Sequence, residues 1–318
     1  MNDPIERRLK LHDLRVLMTV VQAGSMLKAA RQLNTSQPAV SRSIAELEHA
    51  LGVRLLDRSR QGVEPTIYGR ALLDCSTAVF DDLRQGVKNI AFLVDPTEGE
   101  LRIGGDFPGI AGVIPAAIGR FRRKYPRTEI HGTLMNEVRQ QHRALRERSI
   151  DLFFGRLAEP FDKDLHAEVL FEEGIVVVAG SHNHWTRRRK IKLAELADEP
   201  WLLPAPDTVI CALVGHAFRA NGLDFPPKGA VMGSVLHMHG LLATGDFLVF
   251  LPSSLLRLGT LGLGLKMLPV QVPIPRSPFG ILHLKNRMLS PLAELFIACV
   301  RETVKPLADR APARRSRG

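Results

Sequence analysis

Apolar residues recur at intervals of three and four along much of the first 94 residues, which predicts helices with one buried face. The first helix is expected over residues 11–24, with buried positions Leu14, Leu17, Met18 and Val21. Gly24 and Ser25 are expected to end it, and Ser25 can cap the next helix. Between Ala29 and Arg58, two short helices flank a polar turn, and the second buries Val40, Ile44, Leu47 and Leu51. Two helices joined in this way form a helix-turn-helix.

The polar turn also indicates where the second of these helices begins. Thr35 or Ser36 can accept a hydrogen bond from the free amides of the first turn. Pro38 lies within that turn, where its missing N–H costs little. Gly52 is expected to end the helix, because glycine readily adopts a left-handed conformation. Both ends of this helix are therefore predicted.

Opposite the apolar face, short or fork-shaped hydrogen-bonding side chains lie near the start of this helix. Gln37 and Ser41 are four residues apart and share one side, with Arg42 beside them. Such a helix end can enter a major groove, where Gln suits adenine and Arg suits guanine or phosphate. A solvated face is the alternative, but the turn, the small Ala29 and Ala30 and the basic segment that follows favour DNA.

Residues 53–67 predict a short hairpin whose tip lies at 60–62, a basic wing beside the helix-turn-helix. Arginines there can lie along phosphates or in a narrow minor groove; a solvated basic loop is the alternative. The predicted DNA-contacting residues are Arg31, Ser36, Gln37, Pro38, Ala39, Ser41, Arg42, Arg54, Arg58 and Arg60.

A long amphipathic helix is predicted from residue 67 to about 94, with polar positions Asp74, Asp81, Arg84 and Lys88 opposite its apolar stripe. A helix of this kind with no core of its own should pair with another element. Packing against its own domain is the alternative. The apolar stripe includes Leu72, Val79, Leu83, Val87 and Ile90.

After a break at residues 95–99, short apolar strands alternate with helical segments, which predicts α/β architecture. The fully apolar segment 175–179 is typical of a strand in a parallel sheet. Strands are predicted at residues 101–104, 129–135, 151–155, 175–179, 201–203, 247–251 and 281–284. Helices are predicted at residues 114–124, 138–148, 208–219, 235–243 and 291–304. The basic tail is predicted to be disordered.

The N-terminal stretch resembles the DNA-binding domain of LysR-type transcriptional regulators, although Leu56 stands where the family usually has Phe. The matching residues are Ala29, Ala30, Leu33, Ser36, Gln37, Pro38, Ala39, Val40, Ser41, Ile44, Leu47, Glu48, Leu51, Gly52, Leu55, Arg58, Thr66 and Gly69. A looser resemblance to the effector-binding domain of these regulators, a two-lobed α/β fold similar to periplasmic solute-binding proteins, runs to about residue 305. The implied segments are a helix-rich winged helix-turn-helix (1–66), a linker helix and hinge (67–95), an effector-binding domain (96–306) with lobe I (98–175 plus 275–306) and lobe II (176–274), and the tail (307–318).

The resemblance also implies partners. They are promoter DNA, RNA polymerase, a dimer or dimer of dimers, and a small metabolite, often a carboxylate or aromatic acid. In this family the linker helix pairs two subunits, so the resemblance implies a subunit interface at Leu72, Val79, Leu83, Val87 and Ile90. Ligands in open α/β sheets bind beyond the carboxyl ends of strands, and helix N-termini favour anions. The residues selected by that rule are Gly105, Asp106, Phe107, Asn136, Arg156, Pro204, Asp207, Thr208 and Ser234.

The composition of the chain indicates which partners, cofactors and cellular location to expect. A net charge of +10 suits a polyanionic partner, and three widely separated cysteines indicate neither a disulfide framework nor a zinc site. With no apolar run of about 18 residues and no signal-peptide core, a cytoplasmic protein without membrane contact is expected. The histidine pairs 182/184 and 237/239 lack an evident third ligand, so no metal or other cofactor is expected.

Two other classes of protein are alternatives to a regulator. One is a solute-binding or transport module built on the C-terminal half, which the missing signal peptide and the N-terminal motif disfavour. The other is an enzyme with a DNA-binding appendage. No G-x-S-x-G, P-loop or H-E-x-x-H motif occurs, so the chain is not expected to be an enzyme.

Overall fold

The computed structural model describes residues 9–59, 62–204, 206, 208–226, 229–232, 235–260 and 264–308. The chain divides into two compact units, Met1–Val87 and Lys88–Gly318, and each is described by itself. Among the described residues, none of the helices combines the length and apolarity needed to span a bilayer.

The first unit is a three-helix bundle with a two-stranded hairpin, followed by the start of a long helix. Its elements are α1 (Leu11–Ala23), α2 (Met26–Gln32), α3 (Gln37–Leu51), β1 (Leu56–Ser59), β2 (Gly62–Pro65) and α4 (Ile67–Val94). The boundary between the units falls within α4. The core is the predicted apolar face, with Leu17, Ile44 and Leu47 at most 1% exposed. The expected helix-turn-helix and hairpin are therefore present.

Helix ends in this unit follow the sequence signals with one exception. The Ser36 hydroxyl accepts a hydrogen bond from the Ala39 amide at 3.4 Å, which confirms the cap of α3. Gly24 and Gly52 have φ values of 66° and 69°, a conformation that glycine adopts without strain. Ser25 holds the capping position of α2, but its side chain makes no capping hydrogen bond, so that expectation was wrong.

The second unit contains two five-stranded sheets. The first has the strand order β4-β3-β5-β12-β6 and the second β11-β7-β10-β8-β9. The strands of the first sheet are β3 (Glu98–Gly105), β4 (Arg127–Leu134), β5 (Leu152–Arg156), β6 (Leu165–Glu173) and β12 (Ser277–Leu284). Those of the second are β7 (Ile175–Gly180), β8 (Trp201–Pro204), β9 (Gly229–Met232), β10 (Leu248–Pro252) and β11 (Leu265–Met267). The expected two-lobed α/β class is confirmed.

After α4, six α-helices in the described residues of this unit pack against the sheets or join them. They are α5 (Ile114–Phe121), α6 (Val138–Arg146), α7 (Val209–Ala220), α8 (Val235–Ala243), α9 (Ser253–Arg257) and α10 (Pro291–Ala308). Leu307 is 5% exposed and packs in the core, so the first two residues of the predicted disordered tail belong to α10. The rest of that tail lies outside the described residues.

Two strand assignments needed the tertiary structure. β7 pairs antiparallel with both β10 and β11, so the expected parallel pairing of segment 175–179 was wrong. Its apolarity reflects burial on both faces, because Val177, Val178 and Ala179 are all 0% exposed. The sequence also did not predict β6, whose burial alternates irregularly along the edge of the first sheet.

Candidate functional site

The N-terminal end of α3 presents most of the predicted DNA-contacting side chains to solvent. Ser36, Gln37, Pro38, Ala39 and Arg42 are exposed and Ser41 is half-buried, while Arg31 at the end of α2 and Arg54 before β1 are also exposed. The Arg58 side chain and all of Arg60 lie outside the described residues. On the opposite face of α3, the side chains of Val40 and Ile44 pack in the core and are 1% and 0% exposed.

Three residues of the family motif hold the hairpin against α3 before it and α4 after it. The Glu48 Oε1 atom on α3 accepts the amides of Leu55 at 2.8 Å and Leu56 at 3.3 Å. Thr66 donates its hydroxyl to the Arg54 carbonyl at 2.8 Å, and the same Oγ1 accepts the Gly69 amide at 3.1 Å. Sequence reasoning matched Glu48, Thr66 and Gly69 without assigning a role, because these contacts form only once the chain folds at the junctions between α3, the hairpin and α4.

Replacing Gly69 by Ala should destabilise the first unit. A Cβ atom at this position would lie 2.0 Å from the Leu55 carbonyl oxygen, a backbone atom that cannot move alone. We expect a loss of about 1–3 kcal/mol in the free energy of unfolding, measured by urea denaturation. Gly86→Ala on the same helix is the control, because nothing lies within 4 Å and the helix should gain up to about 1 kcal/mol. Equal stability of the two variants would contradict this account.

Helix α4 has two different surfaces along its length. Leu72 and Phe80 pack against the core of the first unit, and the Arg15 guanidinium lies 4.8 Å from the Phe80 ring centroid. Asp81 is 4% exposed, so placing it on the solvated face was wrong. Further along, apolar side chains are open to solvent in the isolated chain. They are Leu83 at 50%, Val87 at 68%, Ile90 at 64%, Leu93 at 79% and Val94 at 82%.

This division refines the predicted subunit interface. Leu72 packs against the core of its own unit, as the alternative for this helix predicts, and Val79 is half-buried. Leu83, Val87 and Ile90 keep the four- and three-residue spacing of one helix face and have no comparable cover. The interface therefore remains a prediction that rests on these three residues, with Val94 continuing the same face.

In the second unit, the loop after β3 is held by the Asp106 carboxylate. Its Oδ1 accepts the Gly109 amide at 3.0 Å, and its Oδ2 accepts the Arg156 amide at 2.8 Å. Burial raises the pKa of Asp106, while these two hydrogen bonds and the Arg156 charge oppose that rise. Both of these backbone amides are therefore already occupied by a group of their own lobe.

Glycines make this loop unusually close to the neighbouring strand. A Cβ on Gly105 would lie 2.9 Å from the Phe154 carbonyl oxygen, and one on Gly109 would lie 2.2 Å from the same atom. Phe107 and Ala111 pack against the apolar core of the second sheet, although they belong to the loop region of the first. The loop therefore contacts both lobes.

The other predicted effector residues differ in availability. Asn136 is exposed and Pro204 is half-buried. Thr208 is exposed, and its hydroxyl oxygen accepts the Cys211 amide at 3.3 Å and so caps α7. Asp207 and Ser234 lie outside the described residues. No group of three or more histidine, cysteine or acidic side chains in the described ranges could hold a metal ion.

Sequence reasoning missed a buried polar group where the chain crosses between the sheets. Glu173 at the end of β6 is 3% exposed, and its Oε1 accepts the Ser253 hydroxyl at 2.9 Å and the Ser254 amide at 3.2 Å. Arg156 and Glu173 both act electrostatically on Asp106, which places the three charges in one neighbourhood. No local motif signals this group, because its members are far apart in sequence.

A cavity of about 190 Å³ lies elsewhere in the second unit. Its lining residues are Lys88, Ala91, Phe92, Glu98, Gly99, Glu100, Ser290, Pro291 and Leu292. At its rim, the Lys88 ammonium lies 3.3 Å from the Glu100 carboxylate. None of these residues belongs to the predicted effector set, so this cavity is a separate feature.

An exposed, capped helix-turn-helix with a fixed hairpin, followed by a two-lobed α/β unit, defines a DNA-binding regulator with a ligand-binding domain. Two family models match the chain. The model for bacterial regulatory helix-turn-helix proteins of the lysR family covers residues 11–70, and the LysR substrate binding domain covers residues 95–305. The chain therefore belongs to the LysR family of transcriptional regulators and is not an enzyme.

Individual relatives agree with this assignment. The chain is 31% identical over 293 residues to the SDS degradation transcriptional activation protein of a Pseudomonas strain, covering 89% of this chain and 93% of the relative. It is 27% identical over 300 residues to the regulator GbpR of Azospirillum brasilense, covering 93% and 87%. Among solved structures, a full-length OxyR variant from Pseudomonas aeruginosa has a TM-score of 0.60 at 21% identity, covering 96% of this chain and 99% of that one. Full-length CbnR complexed with its target DNA has a TM-score of 0.51 at 22% identity, covering 93% and 99%, which shows a shared fold.

Proposed function

We propose that this regulator binds promoter DNA through the start of α3 and the β1–β2 hairpin, as a dimer or a dimer of dimers. A small molecule held between the two lobes changes its geometry on DNA and its contact with RNA polymerase in the cytoplasm. The single observation that carries the DNA-binding role is the exposed polar end of α3, which is capped by Ser36 and backed by a buried apolar face.

The predicted contacts divide into two roles. Gln37 and Arg42 are long enough to reach base edges from the groove, where Gln pairs with adenine and Arg with guanine. Arg31, Arg54, Arg58 and Arg60 would neutralise phosphates, which supports affinity without selecting sequence. The smaller residues, Ser36, Pro38, Ala39 and Ser41, let the backbone approach the DNA closely.

Assembly through α4 fits the exposed apolar face at Leu83, Val87 and Ile90. Each of these side chains is at least 50% exposed in the isolated chain. A contiguous apolar face on a long helix is stabilised when a second helix covers it. A symmetric pair of such helices would present two recognition helices to a palindromic site.

The effector is proposed to be a small carboxylate or aromatic acid bound between the lobes. Because Asp106 occupies two backbone amides, an anionic group depends on the Arg156 side chain rather than on the amides at residues 109 and 156. Gly105, Phe107, Asn136, Pro204 and Thr208 lie at the carboxyl ends of strands or within four residues after them, which supports their inclusion in the proposed site. Asp207 and Ser234 complete the proposed set from the sequence alone.

Gln37→Ala should reduce base discrimination by about 1–3 kcal/mol. The Gln37 side chain is exposed at the helix start, so its removal should leave the fold intact. The measurement compares dissociation constants for a duplex that the wild-type protein selects from a random pool and for a scrambled duplex, at several salt concentrations. We expect affinity to fall on the selected duplex only.

Two variants serve as controls for this experiment. Arg54→Ala should weaken binding to both duplexes and reduce the salt slope by about one unit, as expected for a phosphate contact. Glu46→Ala, exposed on α3 but distant from its start, should bind both duplexes as tightly as the wild type. Equal losses on both duplexes for Gln37→Ala would remove that residue from base recognition.

A further inference from the structure

Five residues form a polar cluster at the crossing between the two sheets, here named the hinge cluster: Asp106, Arg156, Glu173, Ser253 and Ser254. Asp106 follows β3 and Arg156 ends β5 in the first sheet, whereas Ser253 and Ser254 begin α9 directly after β10 of the second. The Ser253 amide donates to the Gly174 carbonyl at 2.8 Å, which ties α9 to the end of β6. The cluster therefore draws its groups from both lobes.

Three atoms of the hinge cluster are buried without a hydrogen-bond partner in the described part of the protein. They are the Arg156 Nε, the Glu173 Oε2 and the Ser254 Oγ. Glu173 and Ser254 are 3% and 0% exposed, so solvent does not reach them readily. Buried polar atoms in native proteins almost always have a hydrogen-bond partner. Three unpaired buried atoms in one cluster therefore indicate that a bound molecule supplies their hydrogen bonds.

The chemistry of these atoms specifies that partner. Arg156 Nε can only donate, a carboxylate oxygen such as Glu173 Oε2 can only accept, and the Ser254 hydroxyl can do either. The partner must therefore carry both an acceptor and a donor. The charges of the hinge cluster also limit the net charge of the ligand, because the cluster contains two acidic residues, Asp106 and Glu173, and only one arginine. A purely anionic ligand would increase that excess of negative charge, whereas a ligand with an added cationic group would not.

We propose that the effector of this regulator is a small amino acid, whose carboxylate binds Arg156 and whose ammonium group binds Glu173, with Ser254 as a further contact. This inference rests on the proposed function, because it assumes that the effector binds between the lobes. Contacts to Arg156 in the first lobe and Ser254 in the second would join the lobes, so binding would favour a closed arrangement.

The test is a thermal-shift screen of the full chain with the common amino acids and with the des-amino and hydroxy analogue of each. A ligand that binds only the native state raises the melting temperature, and at a fixed concentration a tighter ligand raises it more. We expect at least one amino acid to raise it, and its des-amino and hydroxy analogues to bind at least 10-fold more weakly by calorimetry.

Two variants test whether the preference for amino acids over their des-amino analogues depends on the hinge cluster. Glu173→Gln keeps the side-chain shape but removes the charge, and should abolish the preference for the ammonium group. Because Glu173 also accepts from Ser253 and Ser254, Ser254→Ala is needed as a milder change. Its hydroxyl has no partner among the described residues, so the unliganded variant should melt no lower than the wild type, yet bind the amino acid several-fold more weakly.

Three results would overturn the inference. If the des-amino acids bind as tightly as the amino acids, Glu173 does not bind an ammonium group. If the hydroxy acids bind as tightly, the site requires only a neutral hydrogen-bond donor at that position and not a charged ammonium group. The absence of any shift across the panel would exclude the amino acid class. If acids without an amino group bind, the amino acid inference fails, but the proposed effector site between the lobes is still supported. The proposed DNA-binding role is tested separately by Gln37→Ala.

Discussion

Val87→Glu should dissociate the assembled regulator into single chains. Val87 is 68% exposed in the isolated chain and lies at the centre of the apolar face of α4. If that face is covered by its symmetry mate, the substitution buries two carboxylates against each other without partners, which costs several kcal/mol. Sedimentation at micromolar concentration should show the mass of one chain. Affinity for a duplex with two half-sites should fall by about 10²–10⁴-fold, because the two contacts no longer reinforce each other.

Ala71→Glu is the matched control for this prediction. Ala71 is exposed on the same helix, about 160° around its axis from Val87. The same side chain placed there should leave the mass unchanged. If Val87→Glu also keeps the wild-type mass, the subunits associate through another surface.

Asp106→Ala should destabilise the second unit and disable the response to effector. The variant leaves the Gly109 and Arg156 amides without their acceptor, at 3.0 and 2.8 Å in the wild type. Hydrogen bonds to a charged group contribute about 1.5–3 kcal/mol each, and the burial that raises the pKa of Asp106 offsets part of this. We expect a loss of about 3 kcal/mol in the free energy of unfolding, measured by denaturant titration.

Asp162→Ala provides the comparison in the same lobe. The Asp162 side chain is 46% exposed and pairs with Arg146 at the surface, where solvent screening leaves ion pairs with little effect on stability. It should change stability little. DNA affinity should stay near the wild-type value in both variants, since neither residue belongs to the first unit. A stable Asp106→Ala variant would show that the loop does not depend on its carboxylate.

The sequence by itself determined the elements whose signals are local. The cap at Ser36, the end at Gly52 and the apolar spacing of α3 depend on residues within one helix, so they could be predicted before the fold was known. The same holds for α4, whose predicted span of 67 to 94 matches its bounds. The exposed face of α3 followed directly, because helix periodicity fixes which residues share a side.

Only the tertiary structure decided how these elements meet. Segment 175–179 is apolar in any pairing, and its antiparallel partners β10 and β11 lie about 70 to 90 residues further along the chain. Leu72 and Leu83 share the apolar pattern of α4, yet one is covered by the first unit and the other is 50% exposed. Spacing shows which residues share a face but not what covers that face.

The same reason explains the effector region. Asp106 was selected as a ligand contact because it follows a strand, but its carboxylate accepts two amides of its own lobe. Glu173 was overlooked because its partners at Ser253 and Ser254 are 80 and 81 residues away. Sequence identifies a residue as able to accept or donate a hydrogen bond. Its partner depends on long-range packing, which brings distant segments to within about 3 Å of each other.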